Sequence, residues 1–365
     1  MTTRVLVLFG GRSSEHEVSC LSARSVLWAI DRERYDITTV GITRDGRWTL
    51  VEGVQPTREG TLPSVPDDGD TVALVQTRKG PRLVRFVDDA PPDDLGPVDV
   101  CFPVLHGPYG EDGTLQGLLA SLGVPYVGAD VASSAIGIDK RQMKNVFAAR
   151  GLPQVPHLAV RRHLWDTDRG PVLDDIEGTL TYPVFTKPAR QGSSIGIRRC
   201  SDRPALIAGI EEAFGYDRVC IVEQGLDGIR EIECGVIGNA DVQVTRPGET
   251  VHHGDAFYDF GAKYISRVEL HCPADLPENI ASTCVDYARR AYLAIGARGM
   301  ARVDFFYLAD RGEVLVNEIN TIPGFTPASM FPAVWAAEGL EAPALIDRLL
   351  ELAVEAAQAD GRYAP

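Results

Sequence analysis

Two apolar, β-prone arms around one short turn constrain this chain more than any other segment. Arg302-Val303-Asp304-Phe305-Phe306-Tyr307-Leu308 and Glu313-Val314-Leu315-Val316-Asn317-Glu318-Ile319-Asn320 flank Ala309-Asp310-Arg311-Gly312. Turn residues between β-prone runs predict a hairpin. Side chains alternate faces along a strand, so Arg302 shares a face with Asp304, and Glu318 with Asn320. With the arms paired symmetrically about the turn, Asp304 stands opposite Glu318 and Arg302 opposite Asn320. Facing carboxylates destabilise a sheet unless something neutralises them. Read alone, such a face is either solvated or a seat for a hard cation, and Mg²⁺ takes one or two carboxylates plus substrate phosphates. The next residues, Thr321-Ile322-Pro323-Gly324-Phe325-Thr326-Pro327, form a Pro- and Gly-punctuated loop. Backbone N–H groups beside a metal cluster are what phosphoryl or acyl transfer needs.

The 365 residues predict two or three domains, and 44% hydrophobic with 24% charged residues suits a soluble globular enzyme. A net charge of −15 argues against a nucleic acid or an anionic membrane surface as partner. Any site for an anionic substrate must therefore gather its own Lys and Arg. Seven scattered cysteines without a C-x-x-C pair predict reduced, buried thiols and a cytoplasmic location. Val5–Phe9 is too short for a signal peptide, and no apolar stretch approaches a membrane span.

Strand and helix alternate up to about residue 133, which predicts a small parallel α/β domain. Its strands are Val5–Phe9, Tyr35–Ile42 and Val98–Pro103, and its helices Ser14–Ile30 and Thr114–Leu122. The stretch Gly53–Asp94 reads as an irregular excursion with hairpin-like arms around Lys79-Gly80. A second segment, 134–225, opens with the helix Asp139–Arg150, stopped by Gly151 and Pro153. It continues with strands at Tyr182–Thr186, Ile195–Arg199 and Val219–Glu223 and a helix at Pro204–Phe214. The third, 226–365, holds long strands, the helix Ile280–Ile295, the acidic hairpin and a closing helix at Ala342–Ala357.

Several loops carry chemistry. Lys187-Pro188-Ala189-Arg190-Gln191-Gly192-Ser193-Ser194-Ile195-Gly196 lies between two β-prone runs, and its N–H groups can cradle phosphate oxygens. Neither a Walker loop nor a G-x-G-x-x-G fingerprint occurs anywhere in the chain. The loop alone reads better as a flexible hairpin connection; Lys187 ahead of it tilts the reading to phosphate. Lys140 is a second phosphate candidate, although a lone helical lysine is ordinarily solvated. His106-Gly107-Pro108-Tyr109-Gly110-Glu111-Asp112-Gly113 follows a strand of the first domain, where α/β domains place ligands. His106 by itself is better read as a hydrogen-bonded structural histidine. Ser13-Ser14-Glu15-His16-Glu17 takes the equivalent place after the first strand. Glu15 there suits a ligand ammonium or simply a helix N-terminus.

Together these strings make the sequence resemble the D-alanine–D-alanine ligase family of the ATP-grasp superfamily. LFGGRSSEHEVS, HGPYGEDGTLQG, DKRQMK, KPARQGSSIG, IVEQGLDGIREIE, FYDFGAKY, ARVDFF and NEINTIPGFTPASM appear in family order from Leu8 to Met330. Ile138 and Phe260 are conservative departures from the commonest family strings. The resemblance implies an α/β, three-domain ATP-grasp architecture with an N-terminal parallel α/β (preATP-grasp) domain. Its parts would be a substrate-side domain 1–133, a central subdomain 134–225 and a C-terminal subdomain 226–365 with the metal site.

By the same resemblance, Lys140 and Lys187 would contact the nucleotide phosphates, Glu223 and Leu226 would lie at the adenine hinge, Glu231 would bind the ribose, and Lys263 on the closing loop would also bind ATP. Asp304, Glu318 and Asn320 would hold two Mg²⁺ ions, with Mn²⁺ as an alternative. Arg302 and the N–H of Gly324 would form the oxyanion site. Glu15, with His106 nearby, would take the first substrate's ammonium. Ser329 and the Met330 backbone would take the second substrate's carboxylate. Ser193 and Tyr264 would join Glu15 in a network closing the loop Phe257–Ser266. The implied reaction joins two D-alanine molecules through an acyl phosphate at the expense of ATP, for peptidoglycan precursor synthesis, in a homodimer. Ala262-Lys263-Tyr264 argues against a depsipeptide ligase acting on D-lactate, since such relatives typically lack the loop tyrosine. A non-catalytic nucleotide-binding protein would have lost metal ligands, and all three are present.

Overall fold

The computed structural model describes residues 2–54, 62–252 and 268–361. Three sheets follow one another along the chain. The first contains β1 (Thr3–Gly10), β2 (Tyr35–Ile42), β3 (Trp48–Leu50), β4 (Thr71–Thr77), β5 (Gly80–Phe86), β6 (Asp93–Pro97) and β7 (Val100–Val104), in the order β6-β5-β4-β3-β2-β1-β7. β1 runs parallel to both β2 and β7, as expected of an α/β unit, and its buried VLVLF run fits a strand covered on both faces. The excursion after Gly53 is more ordered than its composition suggested. β4 and β5 form an antiparallel hairpin that extends the sheet through β3. Val72 and Leu83 bury there while the flanking Asp, Gly and Pro residues stay in turns. The first sheet is therefore mixed, with a parallel centre and an antiparallel wing.

Helix α1 (His16–Ala29) covers one face of this sheet and α2 (Thr114–Ser121) the other. Helices α3 (Val131–Ile138) and α4 (Lys140–Ala149) then lead into the second sheet. Asp139 ends α3 and caps α4, accepting from the N–H groups of Arg141 and Gln142. The second sheet is antiparallel: β8 (His157–Arg161), β9 (Val184–Pro188), β10 (Arg198–Cys200) and β11 (Val219–Gln224), in the order β10-β9-β11-β8. Helices α5 (Arg162–Thr167), α6 (Arg169–Thr179) and α7 (Arg203–Ala213) pack with it around Trp165, Leu173, Leu206 and Ile210.

The third sheet holds β12 (Ile229–Gly238), β13 (Gln243–Val244), β14 (Gly248–His252), β15 (Val268–His271), β16 (Gly299–Leu308) and β17 (Glu313–Asn320). Its order is β15-β14-β12-β16-β17, with β13 paired to β12. Helix α8 (Glu278–Ala294) lies on its inner face, where Tyr292, Val303, Phe305 and Val316 share a core with Met143 and Phe147 of α4. Helices α9 (Met330–Ala337) and α10 (Ala342–Gly361) tie this part to the first sheet. Phe331, Leu345 and Leu349 share one core with Phe9 and Phe102. Phe325 is wedged between Phe102 and Phe331, at ring-centroid distances of 5.9 and 5.6 Å. That aromatic stack pins the loop after β17 against the first domain.

Candidate active site

The β16–β17 hairpin forms with a feature that simple symmetry lacks. Near the turn Leu308 pairs with Glu313 and Phe305 with Val316, but beyond a register shift Asp304 pairs with Glu318 and Arg302 with Asn320. The extra residue is Asn317, a β-bulge. Continued without it, the near-turn register would set Asp304 against Asn317. Glu318 and Asn320 would then share the core-facing side of Val314 and Val316. The bulge turns both polar side chains outward, onto the face of Arg302 and Asp304. The expected pairing is present, but symmetry about the turn does not give it, since that sets Asp304 against Asn317; the bulge does.

β12 completes this polar face from the other side. Glu233 stands opposite Asp304 and Glu231 opposite Phe306. Arg302 donates two hydrogen bonds to Asp304, both 2.7 Å, and its Nε lies 2.6 Å from Glu233. Asn320 donates to Asp304 at 3.0 Å, and Thr250 to Glu233 at 2.7 Å. Lys140 reaches in from α4, 3.3 Å from Glu318. Among the described residues this face sets Glu231, Glu233, Asp304 and Glu318 against Arg302 and Lys140. Burial, aided by Glu233 and Glu318, pushes the Asp304 carboxyl up against the pull of Arg302. Burial opposes the Arg302 charge, but Asp304 and Glu233 hold it well above its ordinary range.

No group of three or more His, Cys, Asp or Glu gathers as a metal-ligand cluster among the described residues. The oxygen set at the hairpin is two carboxylates and an amide. That donor chemistry fits a hard divalent cation.

The first domain supplies the facing wall. Glu15 sits just ahead of α1 and accepts a hydrogen bond from Ser193 of the glycine-rich loop. Gly192 lets that loop approach, since a Cβ there would lie 2.8 Å from a Glu15 oxygen. Ser193 and Ser194 hold φ of 47° and 59°, which turns the loop over the cavity. Lys140 anchors the same loop by donating to the Gln191 carbonyl at 2.8 Å. His106 is buried between a carbonyl and a hydroxyl. Its Nδ1 is 3.1 Å from the Ile322 carbonyl and its Nε2 3.0 Å from Ser22 Oγ. The carbonyl can only accept, so Nδ1 carries the proton and Ser22 donates to Nε2. Burial pushes this imidazole down to about 4, so it is neutral near pH 7. Ser22 also accepts from the N–H of Phe325 at 3.2 Å. His106 and Ser22 thereby stitch α1 to the loop after β17.

In that loop Gly324 approaches Ser329 so closely that a Cβ would lie 2.8 Å from the Ser329 hydroxyl. Ser329 accepts from the N–H of Thr326 at 3.0 Å and immediately precedes α9, whose first residue is Met330. The N–H groups of a helix's first turn lack intrahelical partners and favour an anion.

One cavity brings most of these groups together. Glu15, His106, Ser193, Arg302, Gly324 and Ser329 line it, as do Glu231, Glu318, Asn320 and Met330. Lys187 and Glu223 lie apart on β9 and β11, paired at 2.5 Å. Leu226 packs nearby with Phe306, Leu308 and Leu315. Lys263, Tyr264 and the loop Phe257–Ser266 lie outside the described residues. Three groups escaped the sequence reading. Glu233 was legible two residues beyond Glu231 on the same strand face, and Lys144 one helical turn beyond Lys140. Glu111 lies within the HGPYGEDG string; it lines the cavity and accepts from the Gly107 N–H at 2.6 Å. Burial first, and Glu15 second, push its carboxyl up.

The D-ala D-ala ligase N-terminus family model matches residues 4–129, and the D-ala D-ala ligase C-terminus model residues 146–351. The chain is 49% identical to a D-alanine–D-alanine ligase of Kineococcus radiotolerans, over 96% of each protein. It is 47% identical to one from Mycobacterium sp. (strain KMS), again over 96% of each. Among solved structures, the D-alanine-D-alanine ligase from Coxiella burnetii superposes with a TM-score of 0.82 at 33% identity, covering 99% of this chain and 97% of that one. A D-Ala:D-Ser ligase from Enterococcus faecalis superposes with a TM-score of 0.80 at 33% identity, covering 97% of this chain and 100% of the other.

Proposed function

The chain belongs to the D-alanine–D-alanine ligase family, and from that premise we propose how its residues divide the work. The enzyme joins two D-alanine molecules into D-alanyl-D-alanine at the expense of ATP, through an acyl phosphate, for peptidoglycan precursor synthesis. It uses ATP and a divalent metal.

The cavity between the first and third sheets supports the following assignment. Glu15, oriented by Ser193 and with neutral His106 nearby, takes the first D-alanine's ammonium. A carboxylate oxygen of that substrate attacks the γ-phosphorus of ATP; the P–O bond to the β-phosphate breaks and ADP leaves. Lys140, Lys187 and Lys263 hold the phosphates, Glu223 and Leu226 the adenine, and Glu231 the ribose. Asp304, Glu318 and Asn320 would hold two Mg²⁺ ions, or Mn²⁺ in their place. Bound there, the cations neutralise charge on the transferring phosphoryl group. Ser329 and the Met330 N–H at the start of α9 take the second D-alanine's carboxylate. Its amine, once deprotonated, attacks the acyl carbon. Arg302 and the Gly324 N–H meet the oxyanion, and the carbon–oxygen bond to phosphate breaks. Tyr264 joins Glu15 and Ser193 to keep water from the acyl phosphate.

In this reading residues 1–133 form the substrate side, 134–225 the central subdomain and 226–365 the subdomain with the metal site. A homodimer and a cytoplasmic location complete the proposal. The observation that carries it is the convergence of Glu15, Ser193, Arg302, Glu318, Gly324 and Ser329 on one cavity. The test is phosphate release from ATP with D-alanine against L-alanine, plus product analysis with D-alanine against D-lactate as acceptor. Phosphate release independent of D-alanine, or dominant depsipeptide formation, would contradict it. Light scattering tests the dimer.

A further inference from the structure

One buried charge has no task in the scheme above. Lys144 lies on α4, one turn after Lys140, and its side chain is 1% exposed. Its ammonium is 2.8 Å from Oε1 of Glu223, while Lys187 holds Oε2 of the same carboxylate at 2.5 Å. Glu223 is itself 3% exposed. Two ammonium groups thus share one carboxylate in a site almost closed to water. An unpaired buried charge is costly, so this arrangement carries a positive excess that an anion would relieve.

The surroundings show where that anion would lie. The strand β9 that carries Lys187 leads directly into the glycine-rich loop at Ala189–Gly196, whose N–H groups suit phosphate oxygens. The Lys187 ammonium also stands 6.0 Å from the Phe306 ring centroid. Phe306 belongs to an apolar strip with Leu226, Ile229 and Leu315 beside Glu223. Burial alone would raise the Glu223 carboxyl, but Lys144 and then Lys187 pull it well below the usual carboxylate range. Burial pushes the Lys144 ammonium down while Glu223 supports it.

We propose that Lys144 is a positioning residue for nucleotide binding: as the resident counter-ion of Glu223, it frees Lys187 to move its ammonium from that carboxylate to the nucleotide phosphates. Lys144 touches no substrate in this scheme. Without it, Glu223 has Lys187 as its one close cation among the described residues, and Lys187 must stay. The inference rests on the reading that Lys187 and Glu223 serve the nucleotide.

The test is ADP binding by titration calorimetry, with the steady-state KM for ATP and for D-alanine. Lys144→Met should weaken ADP about tenfold, the scale of one charge-assisted hydrogen bond, and raise KM for ATP in step. KM for D-alanine should stay within about twofold, because Lys144 pairs with Glu223 and not with a residue assigned to D-alanine. The double variant Lys144→Met/Glu223→Gln removes the carboxylate charge that would retain Lys187. It should bind ADP within about threefold of the Glu223→Gln single variant. Replacing both partners of a buried pair is tolerated better than removing one, so the double variant serves even if Lys144→Met fails to fold. Wild-type ADP affinity in Lys144→Met, or an added tenfold loss in the double variant over Glu223→Gln, overturns the proposal. Lys187→Met separates the two levels. If it leaves ADP binding unchanged, the nucleotide reading itself has failed.

Discussion

Replacing Asp304 by Asn removes one negative charge from the polar face and little volume. The structure allows the two consequences to be sized separately. Asp304 accepts two hydrogen bonds from Arg302 and one from Asn320. An Asn carbonyl can keep one Arg302 bond, but its NH₂ then faces the second guanidinium N–H. One charge-assisted bond is lost, which costs about 1.5–3 kcal/mol. Glu233, 2.6 Å from Arg302, keeps the guanidinium from being left unpaired, so the larger penalty for a lone buried charge is avoided. That loss lies within the ~5–15 kcal/mol that holds a typical domain together, so the variant folds with a lower melting temperature. Catalysis should suffer far more. Charge neutralisation at a transferring phosphoryl group is worth several kcal/mol, and a loss of about 4 kcal/mol slows turnover about a thousandfold. The assay is coupled ADP release at saturating ATP and D-alanine across a Mg²⁺ titration, beside a thermal melt. Turnover within tenfold of wild type at ordinary Mg²⁺, with an unchanged midpoint for the metal, would refute the assignment of Asp304 to the cation.

Ser193→Ala removes the hydroxyl that donates to Glu15. It should lower kcat/KM for D-alanine about 10- to 100-fold and leave KM for ATP within about twofold, as steady-state kinetics will show. His106 is held down to about 4 by burial, below the ~6.5 of an unfolded histidine. The unfolded chain therefore binds the extra proton first; this contribution to stability is complete above about pH 6.5 and is lost as pH falls through about 4. Urea midpoints between pH 7 and 4.5 should fall less steeply in His106→Gln than in wild type. Phe331→Ala opens a hole in the core shared by the first sheet and α9, where Phe331 is fully buried. It should cost about 3–5 kcal/mol in denaturant unfolding, and because Phe331 holds Phe325 of the loop that carries Gly324, kcat per folded molecule should fall as well.

The parts of this molecule that sequence reveals are those with a local signature. The hairpin announces itself by alternation and a Gly-containing turn, and the glycine-rich loop by composition. The bulge at Asn317 has no such signature: it is one residue of slack, set by which side chains of β17 must be buried against α8. The hairpin-like arms around Lys79-Gly80 were legible and are β4 and β5; that they extend the first sheet as an antiparallel wing was not. Their order comes from pairing with β3, a long-range contact. Glu233 and Lys144 were reachable by periodicity, at two residues on a strand and four on a helix. What periodicity could not supply was their partners. The bond from Arg302 to Glu233 and that from Lys144 to Glu223 each join elements far apart in the chain.

Those partners share one pattern, and it leads to a last prediction. The site pairs its charges with each other: Lys140 with Glu318, Lys187 with Glu223, Arg302 with Asp304. Lys140 leaves Glu318 when it turns to a phosphate, a loss that an arriving cation offsets. Glu318 and Asp304 cannot turn to a metal ion while Lys140 and Arg302 occupy them, unless those cations gain an anion. Nucleotide and divalent cation each release the groups that the other needs. Their binding must then be coupled, and by linkage the coupling is the same in both directions. The expected size is about tenfold, within the 1–3 kcal/mol usual for such coupling. Calorimetry should show Mg²⁺ tightening ADP by the same factor by which ADP tightens Mg²⁺, after correction for the Mg·ADP complex in solution. Glu318→Gln releases Lys140 in advance, so it should bind ADP more tightly than wild type without Mg²⁺ and lose most of the coupling. A Glu318→Gln variant that binds metal-free ADP no better than wild type would show that Lys140 is not held back by that carboxylate.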